Sequence, residues 1–169
     1  MTMTKATPAV KPRMQPTKAS CWLSCLEMMF EWKKDKTSDK TKDPDKILAT
    51  LDASPNLKPY MMRDYYGIAM SECREVATLL GMKCAGGGVF DATEMDKFIT
   101  AHGPFWCAGN WGSGSHVIIV TAISPDDGKI RYINPYNNIS LTDSAGTLVW
   151  LNTRGDVWKN CGSSVLYWQ

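Results

Sequence analysis

Four residue types occur in this chain in an order that suits acyl transfer to sulfur. Cys21 opens the apolar run Cys21-Trp22-Leu23-Ser24-Cys25-Leu26, with Ser20 immediately before it as a candidate helix N-cap. A thiol is a useful nucleophile near neutral pH only where its thiolate is stabilised, and the unpaired N–H groups and positive dipole end of a helix start can do that. A neighbouring imidazolium stabilises the thiolate further and can protonate a departing amine, so a histidine is needed from elsewhere in the chain. There are two, His102 and His116. His116 follows the loop Gly112-Ser113-Gly114-Ser115 and opens the run Val117 to Ile123, where a rigid strand can aim it into a cleft. His102 falls at an expected helix end, where a charge–dipole role is the simpler account. The second imidazole nitrogen then needs a partner, and Asn134, in Tyr132-Ile133-Asn134-Pro135-Tyr136, closes the strand expected to pair with that of His116. Gln15, six residues before Cys21, offers a side-chain amide that can join the Cys21 backbone N–H in binding an oxyanion.

Each candidate has a plainer alternative. Cys25, Cys73, Cys84, Cys107 and Cys161 read as small buried hydrophobes, although Cys25 lies one helical turn after Cys21 and is its rival as nucleophile. Asn-Pro is also an ordinary turn signal, and Gln15 is singled out only by its spacing. Trp22, Asn110 and Trp111 are the candidate substrate contacts, with core or cleft wall as the alternative for the indoles.

The elements that must position these residues follow from periodicity. Residues 1–14 lack any, and describe a flexible tail or an extended lead-in; residues 15–169 are expected to form one domain. Apolar positions from Cys21 to Lys33 cover most of a helical surface, predicting a largely buried helix, and the Lys- and Asp-rich stretch from Lys33 to Asp45 predicts a solvated loop. Asp43-Pro44 is an N-cap with proline at the first helical position, starting a short helix to Leu51. A further turn is expected over Pro59 to Asp64, and longer helices from Ser71 to Gly81 and from Asp91 to His102-Gly103. After Pro104 the pattern changes to strands: Phe105 to Ala108, His116 to Ile123, Lys129 to Ile133 with a turn at Ser124 to Gly128, and Ser164 to Trp168. Val149 to Trp158 is ambiguous. Helices first and an antiparallel sheet afterwards predict an α+β domain.

Bulk properties narrow the function. At 169 residues, 44% hydrophobic and 21% charged, one core suffices. The 19 basic and 17 acidic residues leave a net charge of +2, too small for a nucleic-acid surface. No apolar run approaches the roughly 20 residues that cross a bilayer, and the first 20 residues lack the apolar core of a secretory signal peptide. Six cysteines without zinc-finger spacing are expected to be mainly free thiols, and neither a metal nor a cofactor is implied.

Taken together, Gln15, then Cys21-Trp22 at a helix start, then Gly114-Ser115-His116-Val117, then Ile133-Asn134-Pro135 resembles the papain-like cysteine peptidases, in which oxyanion glutamine, nucleophile, histidine and asparagine follow one another in that order. The stretch from Gly103-Pro104-Phe105-Trp106 to Asn134-Pro135 is most similar to the small bacterial, effector-type members. Lys18-Ala19-Ser20 precedes Cys21 where the usual signature has Gly-Ser-Cys. The resemblance implies a helical N-terminal half carrying the nucleophile helix, packed against a C-terminal antiparallel sheet, with the site between them. It implies peptide or isopeptide hydrolysis through a thioester, a protein or peptide substrate, export by a route independent of a signal peptide with the cytoplasm as the alternative, and an immunity or inhibitor protein as a partner. The same Cys-then-His order serves peptidoglycan amidases and glutamine deamidases, and a catalytically silent binding module is the alternative of another class.

Overall fold

The computed structural model describes residues 2–110, 114–136, 144–155 and 162–169. In chain order a short strand β1 (Thr4–Lys5) is followed by α1 (Cys21–Thr37), α2 (Ile47–Asp52), α3 (Pro59–Met61), α4 (Cys73–Leu79), β2 (Lys83–Ala85), α5 (Ala92–His102), β3 (Phe105–Asn110), β4 (Ser115–Ile123), β5 (Lys129–Ile133), β6 (Ser144–Thr147), α6 (Leu148–Gly155) and β7 (Val165–Tyr167). Single tight turns at Pro44–Lys46 and Met70–Glu72 lead into α2 and α4, and a wide turn at Met62–Tyr66 follows α3. The described strands form one antiparallel sheet in the order β2-β7-β3-β4-β5-β6, with β1 against the last residues of β4. The result is the expected α+β architecture.

Strand alternation builds two cores on the two faces of this sheet. Trp106, Ala108, Val117 and Ile119 join the cluster around α1, whereas Phe105, Cys107, Ile118 and Val120 join one with Met95 and Ile99 of α5 and Leu148 and Leu151 of α6. With both faces covered, β3 and β4 are apolar at consecutive positions through their buried middles, Phe105 to Ala108 and Val117 to Val120. Two indoles moor α1 to the sheet: Trp106 Nε1 donates to Trp22 O at 3.1 Å and Trp168 Nε1 donates to Met29 O at 3.0 Å. Gly103, at φ 77°, ends α5 under the Trp32 indole, where a Cβ would come within 2.3 Å of the ring.

Local signals set most boundaries. Asp91 caps α5 by accepting from the Thr93 and Glu94 N–H groups at 2.8 and 3.2 Å, and Asp43 accepts from Asp45 N at 3.1 Å. Two expectations are corrected. Helix α1 continues past Lys33 to Thr37, because the lysines that dominate this stretch are good helix formers on a solvated surface, and it ends at Ser38 with φ 58°. Ser20 does not cap α1: its hydroxyl accepts from Thr17 N and donates to Thr17 O, both at 3.0 Å, so it closes the preceding turn instead. Residues 4–10 lie along the body of the protein: β1 pairs with Ala122 and Ile123, and Pro8 O accepts from Trp32 Nε1 at 2.8 Å. The ambiguous stretch from Val149 is helical to Gly155, and residues 156–158 fall outside the described ones.

Candidate active site

The lead-in to α1 is tied on both sides before it reaches Cys21. Gln15 N donates to Pro135 O at 2.9 Å, which joins this segment to the residue after Asn134, and Thr17 Oγ1 donates to Arg63 O at 2.6 Å. The N–H groups of the first turn of α1 are left without a side-chain cap, because Ser20 is turned back onto Thr17. Uncapped N–H groups at a helix start are donors for a sulfur or an oxyanion.

Cys21 and His116 line the same cleft, about 230 Å³ in volume, with Lys18, Ala19, Ser115 and Val117 beside them and Tyr65, Tyr66, Gly67 and Ile68 as the facing wall. His116 stands at the second position of β4, opposite Gly109 of β3. Its Nε2 lies 2.7 Å from Asn134 Oδ1, just past the end of β5, and the same oxygen accepts from Tyr136 N at 3.0 Å. The backbone N–H of Tyr136 can only donate, which identifies the amide atom as oxygen. An oxygen there can only accept, so Nε2 carries the hydrogen, and the lone pair able to take up a proton is on Nδ1.

Burial acts on both partners. It pushes the Cys21 thiol above its ordinary 9.0, opposed by the N–H groups of Val117, Trp22 and Cys21 itself. It pushes the His116 imidazole below its ordinary 6.5, opposed by the Asn134 hydrogen bond. The helix start therefore supplies stabilising donors, as the sequence suggests, while burial opposes the charged form of both groups.

The other predicted residues are placed as follows. Gln15 is 8% exposed and is not itself on the cleft lining; its Nε2 donates to Thr17 O at 2.7 Å and Lys18 O at 3.3 Å, on the turn whose Lys18 borders the cleft, and its Oε1 is buried without a partner among the described residues. Trp22 does not reach the cleft: it is 0% exposed, its ring lies in the core beneath α1, and it braces the helix rather than touching a substrate. Asn110 is exposed at the end of β3, paired with Ser115, and is not on the cleft lining. Trp111 lies outside the described residues. Cys25 is 0% exposed and absent from the lining, so it has no access to a substrate. His102 presents Nδ1 to Trp168 O at 3.1 Å, at the end of α5 and away from this cleft. Cys21, Cys25, Cys84 and Cys107 are free thiols, and Cys161 lies outside the described residues. Among the described residues there is no cluster that could hold a metal ion, and no helix is long and apolar enough to cross a membrane.

Sequence reasoning did not find Tyr65, Tyr66 and Ile68. The turn at Met62–Tyr66 leaves Tyr65 73% and Tyr66 58% exposed, and Gly67 at φ 72° bends the chain so that a Cβ there would sit 3.4 Å from Ala19 O. The available signal was an aromatic pair followed by glycine in a polar context, Asp64-Tyr65-Tyr66-Gly67.

A cysteine at the start of a buried helix, facing a strand histidine across a cleft between helical segments and an antiparallel sheet, belongs to the papain-like cysteine proteases. Residues 4–149 match the family described as the papain-like cysteine protease AvrRpt2, and the chain belongs to that family. No curated protein matches the chain. It is accordingly a hydrolase of the cysteine peptidase class, and proteins are its substrates.

Proposed function

We propose that Cys21 is the nucleophile, His116 the general base and acid, and Asn134 the residue that orients His116, in hydrolysis of peptide or isopeptide bonds of a protein substrate. The observation that carries this reading is the 2.7 Å contact of His116 Nε2 with Asn134 Oδ1 on a histidine that shares its cleft with Cys21. The Cys21 S–H proton passes to His116 Nδ1 as the sulfur attacks the substrate carbonyl carbon, and the carbonyl oxygen becomes an oxyanion. The Cys21 N–H and the Gln15 amide bind that oxyanion: the amide nitrogen has two hydrogens, of which the one on Thr17 O anchors it and the one on the longer contact to Lys18 O is released to the substrate. The C–N bond then breaks, and the amine leaves with the proton held by His116. Water attacks the thioester while His116 takes its proton, and the S–C bond breaks to return the thiol.

The substrate is proposed to be met outside the producing cell, after export by a route independent of a signal peptide. Membership of a family described by the name AvrRpt2, with its resemblance to bacterial effector proteases, supports this.

The test is labelling with a peptidyl epoxide followed by mass spectrometry, together with incubation of the protein with unfolded protein, purified sacculi and host-cell lysate. Alkylation of Cys21 and protein cleavage that is lost in Cys21→Ala are expected. Cleavage of sacculi alone, or a one-dalton change at glutamine without chain cleavage, would replace peptide hydrolysis by amidase or deamidase chemistry. A Cys21 that reacts with iodoacetamide no faster than a free thiol, with no cleavage of any of the three, would make the chain a silent module.

A further inference from the structure

The backbone of Val117 is bonded by the sulfur of Cys25 and lines the cleft beside Cys21. Ala108 N donates to Ser164 O at 2.9 Å, so Ala108 faces β7, and its partner Val117 is in a non-hydrogen-bonded pair of the β3–β4 ladder. The Val117 N–H and C=O therefore point to the β5 side. There Ile119 pairs with Ile133, and the next residue that could bond Val117 is Pro135. Proline has no N–H to offer, and the Pro135 carbonyl accepts from Gln15 N at 2.9 Å. The ladder cannot continue past Ile119, and α1 enters the gap. Cys25 Sγ donates to Val117 O at 3.5 Å, and Val117 shares the cleft lining with Cys21, where its N–H opposes the effect of burial on the Cys21 thiol. The two cysteines are one helical turn apart and thus on one side of α1.

We propose that Cys25 is a positioning residue: its thiol holds the Val117 carbonyl and so fixes the Val117 backbone, which keeps the N–H of the preceding peptide on the Cys21 side, and Pro135 keeps that carbonyl out of the β4–β5 ladder. This rests on Cys21 being the nucleophile. Burial holds the Cys25 thiol well above its ordinary value, so it keeps its hydrogen and remains a donor throughout the working range. The arrangement also ties α1 to β4 one residue after His116, so the backbone of Val117 joins the sulfur's surroundings to the strand that carries the imidazole.

The test is the pH dependence of Cys21 carboxymethylation by iodoacetamide in the full chain, with the labelled site located by mass spectrometry, for wild type, Cys25→Ala, Cys25→Val and Cys25→Ser. Without the thiol donor the Val117 backbone is free to shift, and the Ala and Val variants are expected to titrate about 0.5 to 1 pH unit higher, which is roughly 3- to 10-fold slower labelling at neutral pH. Cys25→Ser retains a donor and is expected to stay near the wild-type profile. If the Cys25 variants do not fold, Pro135→Ala supplies a competing N–H to the Val117 carbonyl and is expected to shift the profile the same way. An unmoved profile in Cys25→Ala, Cys25→Val or Pro135→Ala, or a shift in Cys25→Ser as large as in Cys25→Val, would overturn the proposal. Wild-type labelling at a cysteine other than Cys21 would overturn the nucleophile assignment itself, which separates the two failures.

Discussion

Replacing Asn134 tests the orientation of His116 with a sign as well as a size. Asn134 Oδ1 accepts from His116 Nε2 at 2.7 Å, and this hydrogen bond raises the imidazole pKa against the lowering effect of burial. A hydrogen bond to a charged donor is worth about 1.5 to 3 kcal/mol and one to a neutral donor about 0.5 to 1.5 kcal/mol, so the bond favours imidazolium by roughly 1 to 1.5 kcal/mol. Because that imidazolium forms in the transition state, Asn134→Ala is expected to slow the plateau rate by about 5- to 10-fold. The same free energy removed from the resting protein lowers the His116 pKa by about one unit. His116 must be neutral to accept the thiol proton, so the acid limb, already below 6.5 in the wild type, moves to still lower pH. Asn134→Asp places a carboxylate on the imidazolium and moves the limb upward. The assay is the second-order rate of inactivation by a peptidyl epoxide as a function of pH, with melting curves as a control, since Tyr136 N also loses its acceptor. Acid limbs that do not move, or that move in the same direction in both variants, would refute the assignment of Nε2 as the donor and Nδ1 as the base.

Three further outcomes follow from the geometry. Gln15→Ala removes the side-chain oxyanion donor and is expected to lower kcat by about 100-fold with little change in KM; a lower Tm with an unchanged kcat would make Gln15 merely a brace of the Thr17–Lys18 turn. Tyr66→Ala opens the facing wall of the cleft without touching Cys21 or His116, and is expected to raise KM by about 3- to 10-fold at nearly constant kcat. Gly67→Ala forces a Cβ onto a backbone at φ 72° and within 3.4 Å of Ala19 O, and is expected to cost about 1 to 2 kcal/mol in thermal unfolding; an unchanged Tm would show that this bend is not needed.

Much of the fold is legible because the signals are local. The Asp91 cap, the Gly103 terminator and the all-round apolar character of Cys21 to Trp32 each act within a few residues, and α5 and the body of α1 appear where those signals put them. The turn from Ser124 to Gly128 closes the β4–β5 hairpin, with Ser124 N donating to Lys129 O at 2.7 Å. Other elements have no such signal. Thr4–Lys5, Lys83–Ala85 and Ser144–Thr147 are two to four residues of unremarkable strand propensity, and they are strands only because β4, β7 and β5 offer them an edge. The end of α1 is hidden for the opposite reason: Lys33 to Thr37 are polar, and a solvated helix surface reads like a loop. Tyr65 and Tyr66 reach the cleft through a turn whose shape depends on the approach of Gly67 to Ala19.

By itself, the sequence determined which chemistry is available: one cysteine at a helix start, two histidines to choose between, an asparagine closing a strand, and the order in which they occur. Those are properties of residue type and short-range periodicity, and they need no partner to be read. The tertiary structure alone decided that Cys25 and Trp22 face the interior while Cys21 faces the cleft, that Ser20 leaves the first N–H groups of α1 uncapped, and that the Val117 carbonyl is met by the Cys25 thiol. It also decided how far Cys21 and His116 are desolvated, because burial depends on every neighbour brought in by the fold, and here it opposes the charged form of both.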